Sequence, residues 1–255
     1  MSKPIIALQI YSVRDHLKTK EDFITSMKKL AEIGYTAIEL AGVGADITDE
    51  EIRKICDECG LKIISAHIVM DAFDADFAGM VKKLKTWGAE YVAMPVPPAW
   101  VREKGDYAKY AELSTELGKK LAAEGITLSY HNHSFEFQKF DGKIGLKTLY
   151  AESSPDYLKA QLDVCWVQRG GGSVVTYIKK YAGRMPTIHF KDHSIVNNDF
   201  YMTPVGDGNL DWKRIIKAAE KAGAKYFIVE QDDTHGDPFG QVARSYQFLA
   251  SKGYK

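Results

Sequence analysis

A single (β/α)8 barrel is the fold that the sequence predicts, and two observations indicate it. Short apolar runs rich in β-branched residues recur eight times, and segments with apolar residues at helical spacing lie between them. Eight strand–helix units in 255 residues match a closed barrel better than the alternative, an open doubly wound sheet. Since no stretch resembles a linker, residues 1–255 are interpreted as one domain.

The predicted elements alternate along the chain. Several helical segments end at a glycine, as at Gly34, Gly88 and Gly223, which is typical of helix C-termini. The longest irregular stretch, about residues 192–210, precedes a helix capped by Asn209 or Asp211 and suits an active-site loop. The predicted strands are IIALQIY (5–11), TAIEL (36–40), LKIISAHIV (61–69), YVAMPV (91–96), ITLSYHNH (126–133), LKAQLDV (158–164), MPTIHFK (185–191) and YFIVEQ (226–231).

Charge and composition narrow the classes of partner. Lys+Arg and Asp+Glu number 34 each and no dense basic run occurs, so nucleic acid is not an expected partner. No segment approaches the roughly 20 apolar residues of a membrane span, and the start lacks a signal-peptide pattern, so we expect a cytoplasmic protein without a membrane partner. Cys56 and Cys59 form a CxxC without a second pair, which indicates ordinary reduced thiols.

Ionisable side chains concentrate where the predicted strands end, and barrels of this kind carry their active sites at that edge. A buried, unpaired charge costs several kcal/mol, so these groups need a shared cation or a dense hydrogen-bond network. Two carboxylates and two imidazoles suit Mn, Zn, Co, Fe or Ni better than Ca, and the identity of the ion, Mg included, stays open. The predicted ligands, on strands five to eight, are His131, Asp163, His189 and Glu230.

Four motifs in order along the chain resemble a known family. They are YHNHSFEF (130–137), LDV (162–164), TIHFKD (187–192) and IVEQD (228–232). Over essentially the whole chain the sequence resembles the xylose isomerase-like TIM-barrel superfamily, and within it the sugar phosphate isomerase/epimerase family, related to ketose 3-epimerases and inosose dehydratase.

The resemblance implies one divalent metal held by a Glu, an Asp, a His and a Glu. Asp163, His189 and Glu230 match the last three, whereas His131 stands where the first Glu is expected, because the chain reads HNH in place of ENH. In ketose epimerases that Glu also transfers a proton, so their two-glutamate mechanism does not carry over intact. Glu136 lies near the position of a substrate-contacting Glu in those enzymes.

The expected activity is that of a metal-dependent sugar isomerase/epimerase, which abstracts a proton next to the carbonyl of a ketose or keto-sugar. Acid/base candidates need a pKa near the working pH and lie at or just beyond the strand ends. These candidates are Glu230, Glu136, His133 and His67. The candidates for binding substrate hydroxyls, the sugar ring or negative charge are Gln9, Glu39, Trp166 and Lys191.

Alternatives stay open at this point. The His-rich fifth strand is similar to the inosose dehydratase branch, which makes an inosose dehydratase-like or 3-keto-glycoside lyase/hydratase reaction the second interpretation. A non-catalytic sugar-binding barrel and an endonuclease IV-like phosphodiesterase are further ones, and the balanced charge argues against the last. The sequence has no glycine-rich phosphate cradle or Arg cluster, so a phosphorylated substrate is not predicted. A homo-oligomer is compatible with the sequence.

Overall fold

Eight parallel strands form the central sheet of the computed structural model, which describes residues 3–255. This confirms the predicted (β/α)8 barrel, and each strand falls inside the run of residues predicted for it. Four further strands, which form two hairpins, lie outside the barrel. The barrel strands are β1 (Ile5–Gln9), β2 (Ala37–Leu40), β3 (Lys62–His67), β4 (Tyr91–Met94), β5 (Thr127–His131), β8 (Leu158–Gln161), β9 (Thr187–Phe190) and β12 (Tyr226–Val229).

Helices connect the strands and cover the barrel. Thr48 and Glu51 form a capping box that fixes the start of α2, and Gly34 ends α1 with a φ of 118°, a conformation that favours glycine. Two short 3-10 helices, residues 10–16 and 135–137, follow β1 and β5. The α-helices are α1 (Lys20–Ile33), α2 (Asp49–Glu58), α3 (Met70–Ala75), α4 (Phe77–Trp87), α5 (Ala99–Lys104), α6 (Tyr107–Ala123), α7 (Gly145–Glu152), α8 (Val164–Arg169), α9 (Val174–Lys180), α10 (Trp212–Lys221) and α11 (Pro238–Ser251).

The seam of the barrel lies between β8 and β9, the two ends of the strand order β8-β5-β4-β3-β2-β1-β12-β9. A parallel bridge between Asp163 and His189 joins them, and the His189 N–H donates to the Leu162 carbonyl at 2.8 Å. Two of the predicted metal ligands therefore lie directly across the seam.

The segment expected to be irregular contains an antiparallel hairpin, so that part of the prediction is wrong. Strands β10 (Asp192–Val196) and β11 (Asp199–Thr203) pair through a turn at Asn197 and Asn198, both with positive φ. The helix that follows is capped by Asp211, one of the two predicted caps. A smaller hairpin, β6 (Lys139–Phe140) with β7 (Lys143–Ile144), follows β5.

The base of the larger hairpin is fixed by one carboxylate, that of Asp192. Its oxygens accept hydrogen bonds from backbone N–H groups 2.8–3.3 Å away and from one indole N–H. The tip, by contrast, is open to solvent: Ile195 is 56% exposed. The donors to Asp192 are the N–H groups of His193, Gly206, Gly208 and Leu210 and the indole of Trp212.

The apolar core lies mainly between the strands and the helices, and a smaller cluster that includes Ala7, Ile64 and Ile228 lies apart from it. Cys56, Cys59 and Cys165 are free thiols. Within residues 3–255, no helix combines the length and the apolar character that crossing a lipid bilayer requires.

Candidate metal centre

Four side chains of metal-ligand type converge at the C-terminal ends of β5, β8, β9 and β12. They are His131, Asp163, His189 and Glu230; one donor atom from each lies within 4.8 Å of the other three, and all four residues are buried. The alternation of side chains along the strands places them on the inner face of the barrel. The structure thus brings together the full predicted ligand set.

Two of these residues have polar atoms without a hydrogen-bond partner in the described chain. His131 Nδ1 and Asp163 Oδ2 are both buried and lack such a partner, although Lys191 Nζ lies 3.3 Å from Asp163 Oδ2. Asp163 Oδ1 accepts from the Trp166 N–H and caps α8. Burial raises the pKa of Asp163 to about 6, and burial together with the nearby His189 holds the pKa of His131 well below its usual range. Unpaired buried atoms of this kind are where an ion would be held.

His189 connects the cluster to a second glutamate. Its Nδ1 lies 2.9 Å from Glu230 Oε2, and its Nε2 lies 2.7 Å from Glu39 Oε1. Burial alone would lower the pKa of His189, but Glu39 and Glu230 raise it to about 9. Burial would likewise raise the pKa of Glu39, yet His67 and His189 hold it well below its ordinary value. These groups stabilise one another as ions.

Lys191 lies on the other side of Glu230 and is fully buried. Its Nζ is 3.0 Å from Glu230 Oε2, 2.7 Å from Asp232 Oδ2 and 3.3 Å from Asp163 Oδ2. Burial would lower the pKa of Lys191, but the three carboxylates raise it well above normal. The neighbouring carboxylate, that of Asp192, is instead engaged at the base of the hairpin.

Beneath the cluster lies a polar layer formed by Gln9, Glu39, His67 and Gln161. Gln9 and Gln161 donate to Glu39 at 3.0 and 2.8 Å, and His67 Nε2 lies 3.0 Å from both Glu39 and Gln161. Gln9 and Glu39 are completely buried. Their contacts favour a role for both residues in holding His189 in place. Gln161 was not predicted. Its position two residues before Asp163, on the same face of the strand, could have indicated that it lies near the cluster.

An aromatic wall borders the cluster on the side of α8 and the hairpin. The Trp166 ring lies 5.2 Å from Lys191 Nζ, with ring centroids 5.7 Å from His133 and 5.9 Å from Phe200. Burial lowers the pKa of His133 to about 4, and its Nδ1 lacks a hydrogen-bond partner among the described residues. Phe200 was not predicted, because nothing in the sequence shows that the hairpin brings it to Trp166.

Glu136 is not brought to the cluster. Its carboxylate accepts from the Tyr130 hydroxyl at 2.7 Å and from the His133 backbone N–H at 2.9 Å. Burial raises the pKa of Glu136 to about 7, against the lowering effect of these hydrogen bonds. Both oxygens are engaged inside the turn that follows β5, an arrangement that supports a structural role for this carboxylate.

The family of the protein is shown by a match that covers most of the chain. A model described as xylose isomerase-like TIM barrel matches residues 27–252. The chain belongs to this family. Among solved structures, a sugar phosphate isomerase/epimerase from Parabacteroides distasonis has a TM-score of 0.78 at 24% identity, over 98% of this chain and 94% of its own. The probable 3-DHS dehydratase from Bacillus anthracis has a TM-score of 0.73 at 14% identity, over 96% and 98%. Identities this low establish the shared fold.

A curated relative lies in the dehydratase branch. An inosose dehydratase of Lacticaseibacillus casei is 26% identical over 152 residues, which cover 52% of this chain and 50% of the relative. The chain therefore matches about half the length of that protein. The barrel therefore shares its fold with solved structures of a sugar phosphate isomerase/epimerase and a probable dehydratase, and its strand-end cluster is compatible with a divalent metal.

Proposed function

We propose that the protein is a divalent-metal-dependent sugar isomerase or epimerase that abstracts a proton next to the carbonyl of a ketose or keto-sugar. One observation carries this proposal: four buried ligand-type side chains on successive barrel strands, with donor atoms within 4.8 Å of one another. His131, Asp163, His189 and Glu230 would hold the ion. When bound, it would polarise the substrate carbonyl and stabilise the negative charge that develops there.

The protein's own groups supply binding, charge balance and proton transfer. Trp166 offers an aromatic face to a sugar ring, and the fixed ammonium of Lys191 balances negative charge on the substrate oxygen. His133 is the best-placed proton acceptor by position, because its ring borders the mouth beside Trp166 and its Nδ1 is unpaired within residues 3–255. Its pKa of about 4 keeps the ring neutral near pH 7, so that it can accept a proton but is a weak base. Glu230 is held in ion pairs, and His67 Nε2 is engaged by Glu39 and Gln161, which favours a supporting role for both.

Elimination is the second candidate, and two observations favour it. An imidazole, His131, stands where the ketose epimerases carry a glutamate, and the curated relative is an inosose dehydratase. In this reaction the same proton is removed next to the carbonyl. The hydroxyl on the following carbon then leaves as water after taking up a proton, and a carbon–carbon double bond forms.

Metal analysis and deuterium exchange test the proposal together. The purified protein is expected to contain about one divalent ion per chain, and to incorporate solvent deuterium next to the carbonyl in one member of a panel of ketoses, inososes and 3-keto-glycosides. Deuterium incorporation without loss of water indicates isomerisation or epimerisation, whereas loss of water indicates elimination. A metal-loaded protein that exchanges no proton in any member contradicts the proposed reaction.

Variants of the ligands give the matched test of the site. Asp163→Asn is expected to lose the bound ion, whereas Asp156→Asn, at an exposed carboxylate before β8, should retain it. Full metal content in Asp163→Asn would place the ion elsewhere.

A further inference from the structure

Asn132 is a completely buried polar residue directly after β5, and the proposed function does not use it. The parallel register between β5 and β8 ends at the pair His131 and Gln161. Just beyond this pair, Asn132 Oδ1 accepts a hydrogen bond from the Asp163 backbone N–H at 3.2 Å. The Asn132 side chain therefore continues the contact between the two strands as far as a predicted metal ligand.

Asp163 is held by three hydrogen bonds that leave its Oδ2 atom for the cluster. Its N–H donates to Asn132, its carbonyl accepts from the Val167 N–H at 3.0 Å, and its Oδ1 accepts from the Trp166 N–H at 2.9 Å. The last two contacts come from α8, the helix that Asp163 itself caps. Of the three, the contact with Asn132 is the one that comes from another strand end. It therefore fixes where Asp163 lies relative to His131.

The amide nitrogen of Asn132 contacts the residue proposed as the proton acceptor. Nδ2 donates to the His133 carbonyl at 3.2 Å, and the His133 backbone N–H donates to Glu136 Oε2 at 2.9 Å. Both polar groups of the His133 backbone are thus engaged, which fixes the point from which its ring projects. A carboxamide has an acceptor and a donor, so one side chain can hold Asp163 and His133 at once.

We infer that Asn132 is a positioning residue of the metal centre, whose carboxamide fixes the ligand Asp163 and the proton acceptor His133 relative to one another. The inference rests on the proposed function, which assigns these two roles. Residues that hold a metal ligand in place commonly contribute about 10–100-fold to metal affinity or activity. Removal of the carboxamide should therefore change the metal centre itself.

Amide hydrogen exchange in the metal-free protein tests the contact between Asn132 and Asp163. Asn132→Leu keeps the size of the side chain but removes both hydrogen bonds, so we expect the Asp163 N–H to exchange about three- to tenfold faster than in the parent. The His189 N–H, which donates to the Leu162 carbonyl across the seam, should exchange as it does in the parent. Equal acceleration at both amides would reflect a general loss of stability and would overturn the inference.

Binding of Co²⁺, followed by its visible absorption spectrum, tests the consequence for the metal centre. The d–d bands report the geometry of the ligands, which a lower stability of the fold does not by itself alter. Asn132→Leu is expected to weaken Co²⁺ binding about 10–100-fold and to shift these bands. Asn132→Ala also lacks both hydrogen bonds and should do the same, which keeps the test decisive if Asn132→Leu does not fold.

Asn132→Asp separates the two hydrogen bonds. A carboxylate keeps the acceptor for the Asp163 N–H but has no donor for the His133 carbonyl. We therefore expect the Co²⁺ bands of the parent, together with a kcat for deuterium incorporation that is reduced about tenfold or more at unchanged KM. A merely structural defect would not separate metal geometry from turnover in this way.

Ser129→Ala is the matched control. Ser129 lies on the same strand, is completely buried, and its hydroxyl has no hydrogen-bond partner in the described chain. Its substitution should leave amide exchange at Asp163 and the Co²⁺ spectrum unchanged.

The outcomes separate the role of Asn132 from the reaction. Co²⁺ bound by Asn132→Leu and by Asn132→Ala with the affinity and the spectrum of the parent would overturn the inference and leave the proposed function intact. Faster exchange at Asp163 in these variants, in a protein whose parent chain binds no Co²⁺, would support the positioning of Asp163 by Asn132 and overturn the proposed metal-dependent function.

Discussion

Two buried environments in this barrel treat the same side chain in opposite ways. Glu39 lies completely buried among His67, His189 and two glutamine amides, and its pKa is held well below the ordinary value. Glu136 is equally buried at the end of β5, where Tyr130 and one backbone N–H are its hydrogen-bond donors, and its pKa rises to about 7.

The difference shows that charge partners, rather than depth, decide whether a buried carboxylate stays ionised. Burial alone favours the neutral acid at both positions. At Glu39 two imidazoles outweigh that effect, whereas at Glu136 two hydrogen bonds from neutral donors do not. The strand-end cluster is therefore an ionic network, whereas the Glu136 carboxyl is neutral below pH 7 and loses its proton as the pH rises through 7.

Removal of the buried ammonium is the strongest way to break this comparison. Lys191→Met leaves the buried Asp163 and Glu230 and the half-buried Asp232 without their shared cation, so we expect a loss of about 3–5 kcal/mol in the free energy of unfolding. Urea denaturation in the presence of a chelator measures it. Lys120→Met, at an exposed lysine of α6, should change stability by less than about 0.5 kcal/mol. A Lys191→Met protein as stable as the parent would show that the carboxylates need no cation.

The raised pKa of Glu136 predicts that the free energy of unfolding changes with pH by about 3 kcal/mol at most. Because the folded pKa of Glu136, about 7, exceeds that of the unfolded chain, its contribution is fully present below about pH 4.5 and is lost as the pH rises through 7. Glu136→Gln cannot ionise, so its stability relative to the parent should increase between pH 5 and pH 8 in urea denaturation.

Glu152→Gln, an exposed glutamate at the end of α7, serves as the control and should show no such trend. If the stability difference between Glu136→Gln and the parent stayed constant from pH 5 to pH 8, Glu136 would belong with the ionised carboxylates of the cluster.

Loss of the neutral hydrogen-bond donor to Glu136 sharpens the comparison of the two carboxylates and is expected to have the smallest effect on stability. Tyr130→Phe removes the hydroxyl that donates to Glu136 Oε1 at 2.7 Å, and we expect a cost of about 1 kcal/mol in thermal or urea unfolding at pH 5. Tyr157→Phe, at a partly buried tyrosine before β8, tests for the cost of losing a hydroxyl as such. Equal effects of the two substitutions would mean that the hydrogen bond to Glu136 contributes no stability.

Local sequence pattern predicted the barrel and the convergence of its strand ends, because both follow from strand alternation and parallel order. The position of each predicted ligand was readable once its strand was placed, as the LDV and TIHFKD segments illustrate. Contacts across the barrel were not readable in this way. Gln161 reaches Glu39, 122 residues away in the chain, and only the closed barrel brings the two together.

The conformation of the turns was the other feature that was not predicted from the sequence. Glu136 follows β5 closely enough to suggest the mouth of the barrel, yet one 3-10 turn directs its carboxylate to Tyr130. The hairpin of β10 and β11 was missed although apolar residues lie on both sides of the turn residues Asn197 and Asn198. With it the approach of Phe200 to Trp166 was missed.

The Asp192 carboxylate has a consequence for how such a protein can diversify. The single side chain gathers the backbone donors at the base of the hairpin, while the turn at Asn197 and Asn198 extends into solvent. Insertions or exchanges at the tip therefore leave the anchor, and the barrel behind it, unaffected. Related proteins can therefore differ at the tip of this hairpin, and so in the molecules that it contacts, while the fold that supports it stays the same.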